Sequence, residues 1–303
     1  MYRPFKNILV PLDGSKTAET VLPFAHSFAR TLQLPVELLA VVDPTIVVPI
    51  LSESDRSILH THIVDRKRRF GKYLTDIAKN FPIGCVHSDV GSGVPAEIII
   101  ESAAAEKDTL IAMATHGYSG LNRWLLGSVA EKVLRGSVNP VLLVRATEKP
   151  VRWDVPALKS LLVPLDGSEM AEAVLPVVEA LAKSFDLQVT LLHVYGVPYG
   201  AYSAGDGFCD TTQLDNFASQ LKKDAEEYLE QKAAALRSHG IDKVFCSAKK
   251  GLEADEIISF AQSDNLVVMC THGRSGIKRW VLGSVTETVV RHCEKPMLIV
   301  RGS

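Results

Sequence analysis

The feature that most constrains the fold is that the chain is written twice. ILVPLDGSKTAETVLPFAHSFARTLQLPVELLAVVD, from Ile8, matches LLVPLDGSEMAEAVLPVVEALAKSFDLQVTLLHVYG, from Leu161, including PLDGS, an Ala-Glu pair and a Val-Leu-Pro. Further on, THGYSGLNRWLLGSV (Thr115 to Val129) matches THGRSGIKRWVLGSV (Thr271 to Val285), and the halves close on NPVLLVR at Arg145 and KPMLIVR at Arg301. Self-similarity of this length implies tandem copies of one folding unit, and 303 residues are more than one hydrophobic core commonly organises. The expected domains are 1–146 and 157–303, with 147–156 as linker inside the stretch Thr147 to Ser160, which carries two prolines and mixed charge.

Within the first half, NILVPL, VELLAVV, CVHSDV, TLIAMAT and VLLVR read as strands, mostly continuous apolar or β-branched runs suited to a sheet covered on both faces. Between them lie helical patterns at Thr17 to Thr31, about Ser57 to Lys79, Pro95 to Glu106 and Ser128 to Arg135. This alternation predicts an α/β protein of two tandem doubly wound domains, each a parallel sheet flanked by helices. In such sheets small ligands bind beyond the carboxyl ends of the strands, where the strand order reverses. Asp13 and Gly14 follow the first strand, and His116 and Gly117 follow the fourth; if these strands are neighbours, carboxylate and glycine loop share one crevice.

The repeated loop offers an anion site. A helix starting at Ser128 presents unpaired backbone N–H groups and the positive end of its dipole. Ser128 adds a hydroxyl, and Gly127 and Gly117 allow tight turns or close approach of a phosphate. Gly273, Gly283 and Ser284 supply the same set in the second half. Turn glycines and a plain helix cap are the alternative. Arg123 and Arg279 recur within reach of phosphate or as solvated arginines, and Trp124 and Trp280 read as apolar pins. Asp13 and Asp166, in PLDGS, serve either an Asx-type turn that also caps the next helix or as acceptors for a nucleoside hydroxyl or amino group.

The opening ILVPLDGS combined with the late THG, nine residues, GS, helix and final VLLVR resembles the universal stress protein family, as a tandem pair covering almost the whole chain. The resemblance implies a five-stranded parallel domain of the adenine nucleotide alpha hydrolase kind in each half. In the family's nucleotide-binding branch, ATP is held by G-x-x-G-(nine)-G-[ST]. Carried over, it places Pro11, Asp13 and Val41 near the adenosine and Gly117, Gly127, Ser128 and Val129 along the phosphates, with Pro164, Asp166, Val194, Gly273, Gly283, Ser284 and Val285 as counterparts. The motif's first glycine is Ala114 in one half and Cys270 in the other. If that position needs a positive φ, a side chain there costs roughly 1–2 kcal/mol; if it needs only room, alanine is the better tolerated, so the first site is expected to be the stronger. The resemblance also implies that the domains pair through their final strands, and it leaves a homodimer open.

Other signals are weaker. A net charge of -2 and a pI near 6.5 give no general pull toward nucleic acid or an anionic membrane. Five scattered cysteines without a C-x-x-C pair fit a reducing cytosol, and neither a signal peptide nor a bilayer-length apolar run is seen, so a cytoplasmic protein is expected. His60, His62, His87 and Cys85 have no recognised metal spacing, GSGVP from Gly91 is a turn into a helix rather than a dinucleotide fingerprint, and no G-x-x-x-x-G-K-[ST] occurs. The basic run RKRR at 66–69 reads as a solvated helix face. The leading expectation is a non-catalytic stress sensor or regulator binding ATP with Mg²⁺. The alternatives are a slow ATPase or phosphotransferase, with His116 or His272 as proton carrier, and a ligand-free assembly module.

Overall fold

The computed structural model describes residues 3–44, 53–82, 84–116, 126–147, 153, 158–196, 211–262, 265–271 and 282–302, without the side chains of 53–60 and 211–215. The chain divides into two compact units, Arg3–Ala157 and Leu158–Ser303. In the first, strands β1 (Asn7–Pro11), β2 (Val36–Val42), β3 (Val86–Ser92), β4 (Thr109–Ala114) and β5 (Val141–Val144) lie in the order β3-β2-β1-β4-β5, all pairs parallel. Helices α1 (Leu22–Leu32), α2 (Glu53–Ala78), α3 (Pro95–Ala105) and α4 (Ser128–Gly136) connect them. The second unit repeats the pattern with β6 (Ser160–Pro164), β7 (Gln188–Tyr195), β8 (Val244–Lys250), β9 (Asn265–Cys270) and β10 (Met297–Val300), ordered β10-β9-β6-β7-β8. Its helices are α5 (Glu169–Glu172), α6 (Leu175–Phe185), α7 (Thr211–Ser238), α8 (Glu253–Phe260) and α9 (Ser284–His292).

The strands form where apolar runs can be covered on both faces. Every residue of β4 and of β9 is buried, and Ile8, Leu9 and Val10 of β1 are wholly inaccessible. Each such side chain contributes roughly 1.5–3 kcal/mol of transfer free energy. The helices lay one stripe on this sheet: Ala130, Val133 and Leu134 of α4, and Ala225, Leu229, Ala233 and Leu236 of α7, at the spacing of one helical face. The single helix expected at Thr17 to Thr31 is instead a 3₁₀ turn, Ala18–Val21, followed by α1. Pro23 in the first turn of α1 explains the break, because it cannot donate to a preceding turn. Pro176 does the same between α5 and α6.

Trp153 of the expected linker packs edge-on against Phe81 (5.7 Å between ring centroids) and His26 (6.2 Å), so this residue is part of the first unit's surface. No helix among the described residues is long and apolar enough to cross a membrane.

Candidate functional site

The strand order reverses at β1 in the first unit and at β6 in the second, and there the sheet forks. β1 pairs with β4 only through Leu9 and Ile111, but stays bonded to β2 through Pro11 and beyond, where the Leu12 amide donates to Leu39 O at 2.8 Å. β4 in turn stays with β5 through Ala114 and Val144, and the Thr115 amide donates to Val144 O at 2.8 Å. Each strand follows its outer neighbour, which opens a crevice between their carboxyl ends. In the second unit, β6 and β9 part after Leu162 and Val267 in the same way.

Proline in a central strand normally breaks a ladder. Here the amides of Ile8 and Leu12 face β2, donating to Pro35 O and Leu39 O, so the alternate position, Pro11, faces β4. Its missing N–H falls where the ladder has already opened. Pro164 occupies the same place, one residue before the Leu165 amide that donates to Leu192 O at 2.8 Å.

The turn beyond this strand is built identically in both units. The Ser15 amide (2.9 Å) and hydroxyl (2.6 Å) both donate to Asp13 Oδ1, and those of Ser168 donate to Asp166 Oδ1 at 3.0 and 2.6 Å. Gly14 and Gly167 have φ of 82° and 83°, a conformation that requires glycine. The carboxylate makes the Asx turn, but the serine rather than the aspartate caps the helix: Ser15 Oγ accepts from the Ala18 amide and Ser168 Oγ from the Ala171 amide, both at 3.1 Å.

Across the fork stand the N-termini of α4 and α9. Among the described residues no side chain caps either helix, and the amides of Ser128, Val129 and Ala130, like those of Ser284, Val285 and Thr286, have no protein acceptor. The preceding glycine amides are used: Gly127 donates to Thr115 O and Gly283 to Thr271 O, each at 2.8 Å. Gly127 has φ −60° and ψ 146°, which any residue adopts, yet a Cβ there would lie 2.9 Å from Thr115 O. Its close neighbour is therefore the protein's own strand end, which the sequence alone does not reveal.

Ala114 and Cys270 are the last residues of β4 and β9, buried, and absent from the residues with positive φ. The strain considered for this position does not arise. The second unit has a cavity of about 340 Å³ at its fork, bounded by Pro164, Asp166, Val194, Cys270 and the Gly283-Ser284-Val285 helix start. Sequence reasoning missed the polar side chains of its lining: His193, Glu253 and Thr286. They stand where the first half has Ala40, Pro95 and Ala130, so comparing the halves for differences rather than identities is the signal that would have found them. Thr286 Oγ1 donates to Cys270 O at 3.0 Å, tying α9 to the end of β9.

In the first unit Pro11, Asp13, Val41, Ala114, Gly127, Ser128 and Val129 all lie at or just past the carboxyl ends of β1, β2 and β4. Gly117, Arg123, Trp124, His272, Gly273, Arg279 and Trp280 lie outside the described residues. His116 is buried, its Nδ1 3.2 Å from Thr115 Oγ1 and its Nε2 without a partner among the described residues. Burial first, then Arg145, holds its pKa below the usual histidine value, so the ring is a neutral element of the strand end. Among the described residues no three His, Cys, Asp or Glu side chains converge as a metal site.

Comparison with known proteins follows the same duplication. The model of the universal stress protein family matches residues 4–145 and again 157–301. A universal stress protein of Methanocaldococcus jannaschii is 32% identical over 145 residues, 48% of this chain and 85% of that protein. One from Mycolicibacterium smegmatis is 22% identical over 307 residues, 97% of this chain and 96% of its own. Among solved structures, a universal stress protein from Archaeoglobus fulgidus superposes with a TM-score of 0.67 at 20% identity, covering 98% of both chains.

Proposed function

The chain belongs to the universal stress protein family, and on that premise we propose that it binds adenine nucleotide, as ATP with Mg²⁺, in the crevice of each half and acts as a stress sensor or regulator without efficient catalysis. The observation that carries this reading is the fork itself: an uncapped helix N-terminus and an aspartate turn face one another across an opening in the sheet, in both units. Free amides at a helix start take phosphate oxygens. Asp13 and Asp166 place a carboxylate, the acceptor type suited to nucleoside hydroxyl or amino groups, at each crevice. Val41 and Val194 offer apolar surface to a base.

The cavity of the second unit, about 340 Å³, is of the size that small-ligand sites have. In this reading Mg²⁺ is held chiefly by the phosphates, with the Ser128 and Ser284 hydroxyls as neutral oxygen donors nearby; bound, it neutralises phosphate charge. In the first site His116 has its Nδ1 engaged with Thr115, and burial keeps its ring neutral.

The test is to denature the purified protein and identify the released small molecules, then titrate the emptied, refolded protein with ATP and Mg²⁺. Adenine nucleotide in the supernatant, at one or two per chain, is the expected result. A protein that releases no nucleotide and shows no saturable ATP binding at millimolar concentration would end the proposal.

A further inference from the structure

Each unit contains a Glu-Tyr-Lys triad beside its aspartate turn. Glu19, 5% exposed, accepts the Tyr73 hydroxyl at Oε1 (3.2 Å) and the Lys16 ammonium at Oε2 (2.8 Å). Glu172 accepts the Tyr228 hydroxyl at Oε1 (2.9 Å) and the Lys232 ammonium at Oε2 (2.7 Å). The glutamates are those of the repeated Ala-Glu pair, and both tyrosines precede a fully buried leucine, Leu74 or Leu229, on the long helix. The lysine is not conserved in place: Lys16 comes from the turn region itself, Lys232 from α7.

Glu19 is buried and the Glu172 side chain is 23% exposed, and withdrawing a carboxylate from water is costly unless charge-assisted hydrogen bonds satisfy it. The same arrangement reached with lysine from two different elements means that the tyrosine contact is the common feature. Geometry connects that tyrosine to the turn. The glutamate that each tyrosine holds is itself bonded to the turn serine: the Glu19 amide donates to Ser15 O at 3.3 Å and the Glu172 amide to Ser168 O at 3.1 Å; each phenol also lies within electrostatic reach of the turn aspartate, Tyr73 of Asp13 and Tyr228 of Asp166. Burial, and then the adjoining glutamate, push both phenol pKa values well up, so each is a protonated donor at neutral pH. In the first unit Phe70, one turn before Tyr73, stands 3.5 Å from where a Cβ on Gly14 would be, so α2 lies directly over the turn.

We propose that Tyr73 and Tyr228 are positioning residues that lock the Asp-Gly-Ser turns, and with them Asp13 and Asp166, in ligand-binding geometry, coupling each crevice to the long helix of its unit. The consequence for ligand affinity rests on the nucleotide reading above; the lock on the turn does not. In the second unit the lock is stiffer, because α7 supplies both tyrosine and lysine, and Lys232 also sits over the Tyr228 ring at 5.5 Å. Occupancy of the crevice and order of the helix then favour one another.

The experiment compares Tyr228→Phe with Lys232→Met in the full chain, by residue-resolved amide exchange and by ATP titration well below the melting temperature. Tyr228→Phe removes one hydroxyl, and with it the hydrogen bond that fixes Glu172 Oε1; Lys232→Met removes the partner of Oε2 but keeps the tyrosine contact. Tyr228→Phe is expected to accelerate exchange of the Glu172 amide, which donates to Ser168 O, about tenfold and to weaken ATP binding to the second site several-fold. Lys232→Met is expected to lower the melting temperature with a smaller effect on both. Unchanged Glu172 exchange in Tyr228→Phe, or affinity losses that merely track melting temperature across the two variants, overturns the proposal. If the wild-type protein binds no ATP, the nucleotide reading fails by itself and the Glu172 exchange still decides the positioning role.

Discussion

Replacing Gly127 by alanine isolates the contact on which the proposed α4 anion site is built. The backbone at φ −60°, ψ 146° suits alanine, so conformation alone predicts a gain of about 0.4–1 kcal/mol through the unfolded chain. Sterics predict the reverse. The new methyl would sit 2.9 Å from Thr115 O and 3.4 Å from His116 Cα, and that oxygen cannot retreat freely. It accepts the Gly127 amide at 2.8 Å, while Thr115 is held by its own amide on Val144 O and by its hydroxyl, which accepts from the Ala146 amide at 3.1 Å. Overpacking against fixed backbone costs about 1–3 kcal/mol, so the net expectation is a loss of roughly 1–2 kcal/mol. For a unit of this size that is a fall of about 2–8 °C in melting temperature. The helix start must also move off the strand end, so affinity for ATP in the first site falls with it. Gly84→Ala is the control: φ is +84° with nothing within 4 Å, so it loses about 1 kcal/mol to backbone strain while binding stays as in wild type. Thermal unfolding and ATP titration of both variants decide the matter. A Gly127→Ala protein as stable as wild type, with undiminished binding, would show that the close approach of α4 to Thr115 is not a constraint.

Other substitutions test neighbouring arguments. Gly71, in α2 with nothing within 4 Å of a Cβ, should become more stable by about 0.5–1 kcal/mol on change to alanine, measured by urea unfolding. Ala114→Gly and Cys270→Gly, which restore the first glycine of the family motif, should not improve ATP affinity, because both positions are extended strand ends; each should lower stability by about 1 kcal/mol through backbone entropy and lost packing. A clear gain in affinity from either would return the argument to a positive φ. For His116 the folded pKa lies below the unfolded value of 6.5, so the unfolded chain binds the proton more readily. Its contribution to stability is present above pH 6.5 and is lost as pH falls through the folded value; His116→Gln should flatten the decline in unfolding free energy between pH 7 and 5, and an unaltered slope would contradict this.

The fold was legible because the strands are buried on both faces and the helices carry proline or glycine at their ends. VELLAVV and Pro95 onward gave element bounds within a residue of those observed. What the residues could not give was strand order, since hydrophobic runs name no partners; only the pairing of β1 with β4 brings Asp13 and the α4 start to one crevice. The role of Gly127 was half legible. Glycine at a helix start permits close approach, but whether to a ligand or to Thr115 depends on a contact between residues far from being adjacent in sequence. Tyr73 and Tyr228 escaped notice because the long helices diverge between halves, one with RKRR and the other with DAEEYLEQK, and a lone tyrosine on a solvated helix carries no pattern.

The two halves also show which parts of the site tolerate change. The Asp-Gly-Ser turn, the proline at the fork and the Gly-Ser helix start are the same in each, and each is fixed by backbone geometry: a positive φ, a missing N–H, an uncapped helix. The lining is free to vary, and it has: Ala40, Pro95, Ala114 and Ala130 correspond to His193, Glu253, Cys270 and Thr286. Glu253 and Asp166 bring two carboxylates to the second cavity, which disfavours a bare polyphosphate and raises its dependence on a divalent cation. ATP affinity of the second site should therefore fall more steeply than that of the first when Mg²⁺ is chelated, and Glu253→Gln should remove most of the difference. Equal losses at the two sites, each followed with the other weakened by Gly127→Ala or Gly283→Ala, would mean that Glu253 faces away from the phosphates and that the sites differ in shape rather than in charge.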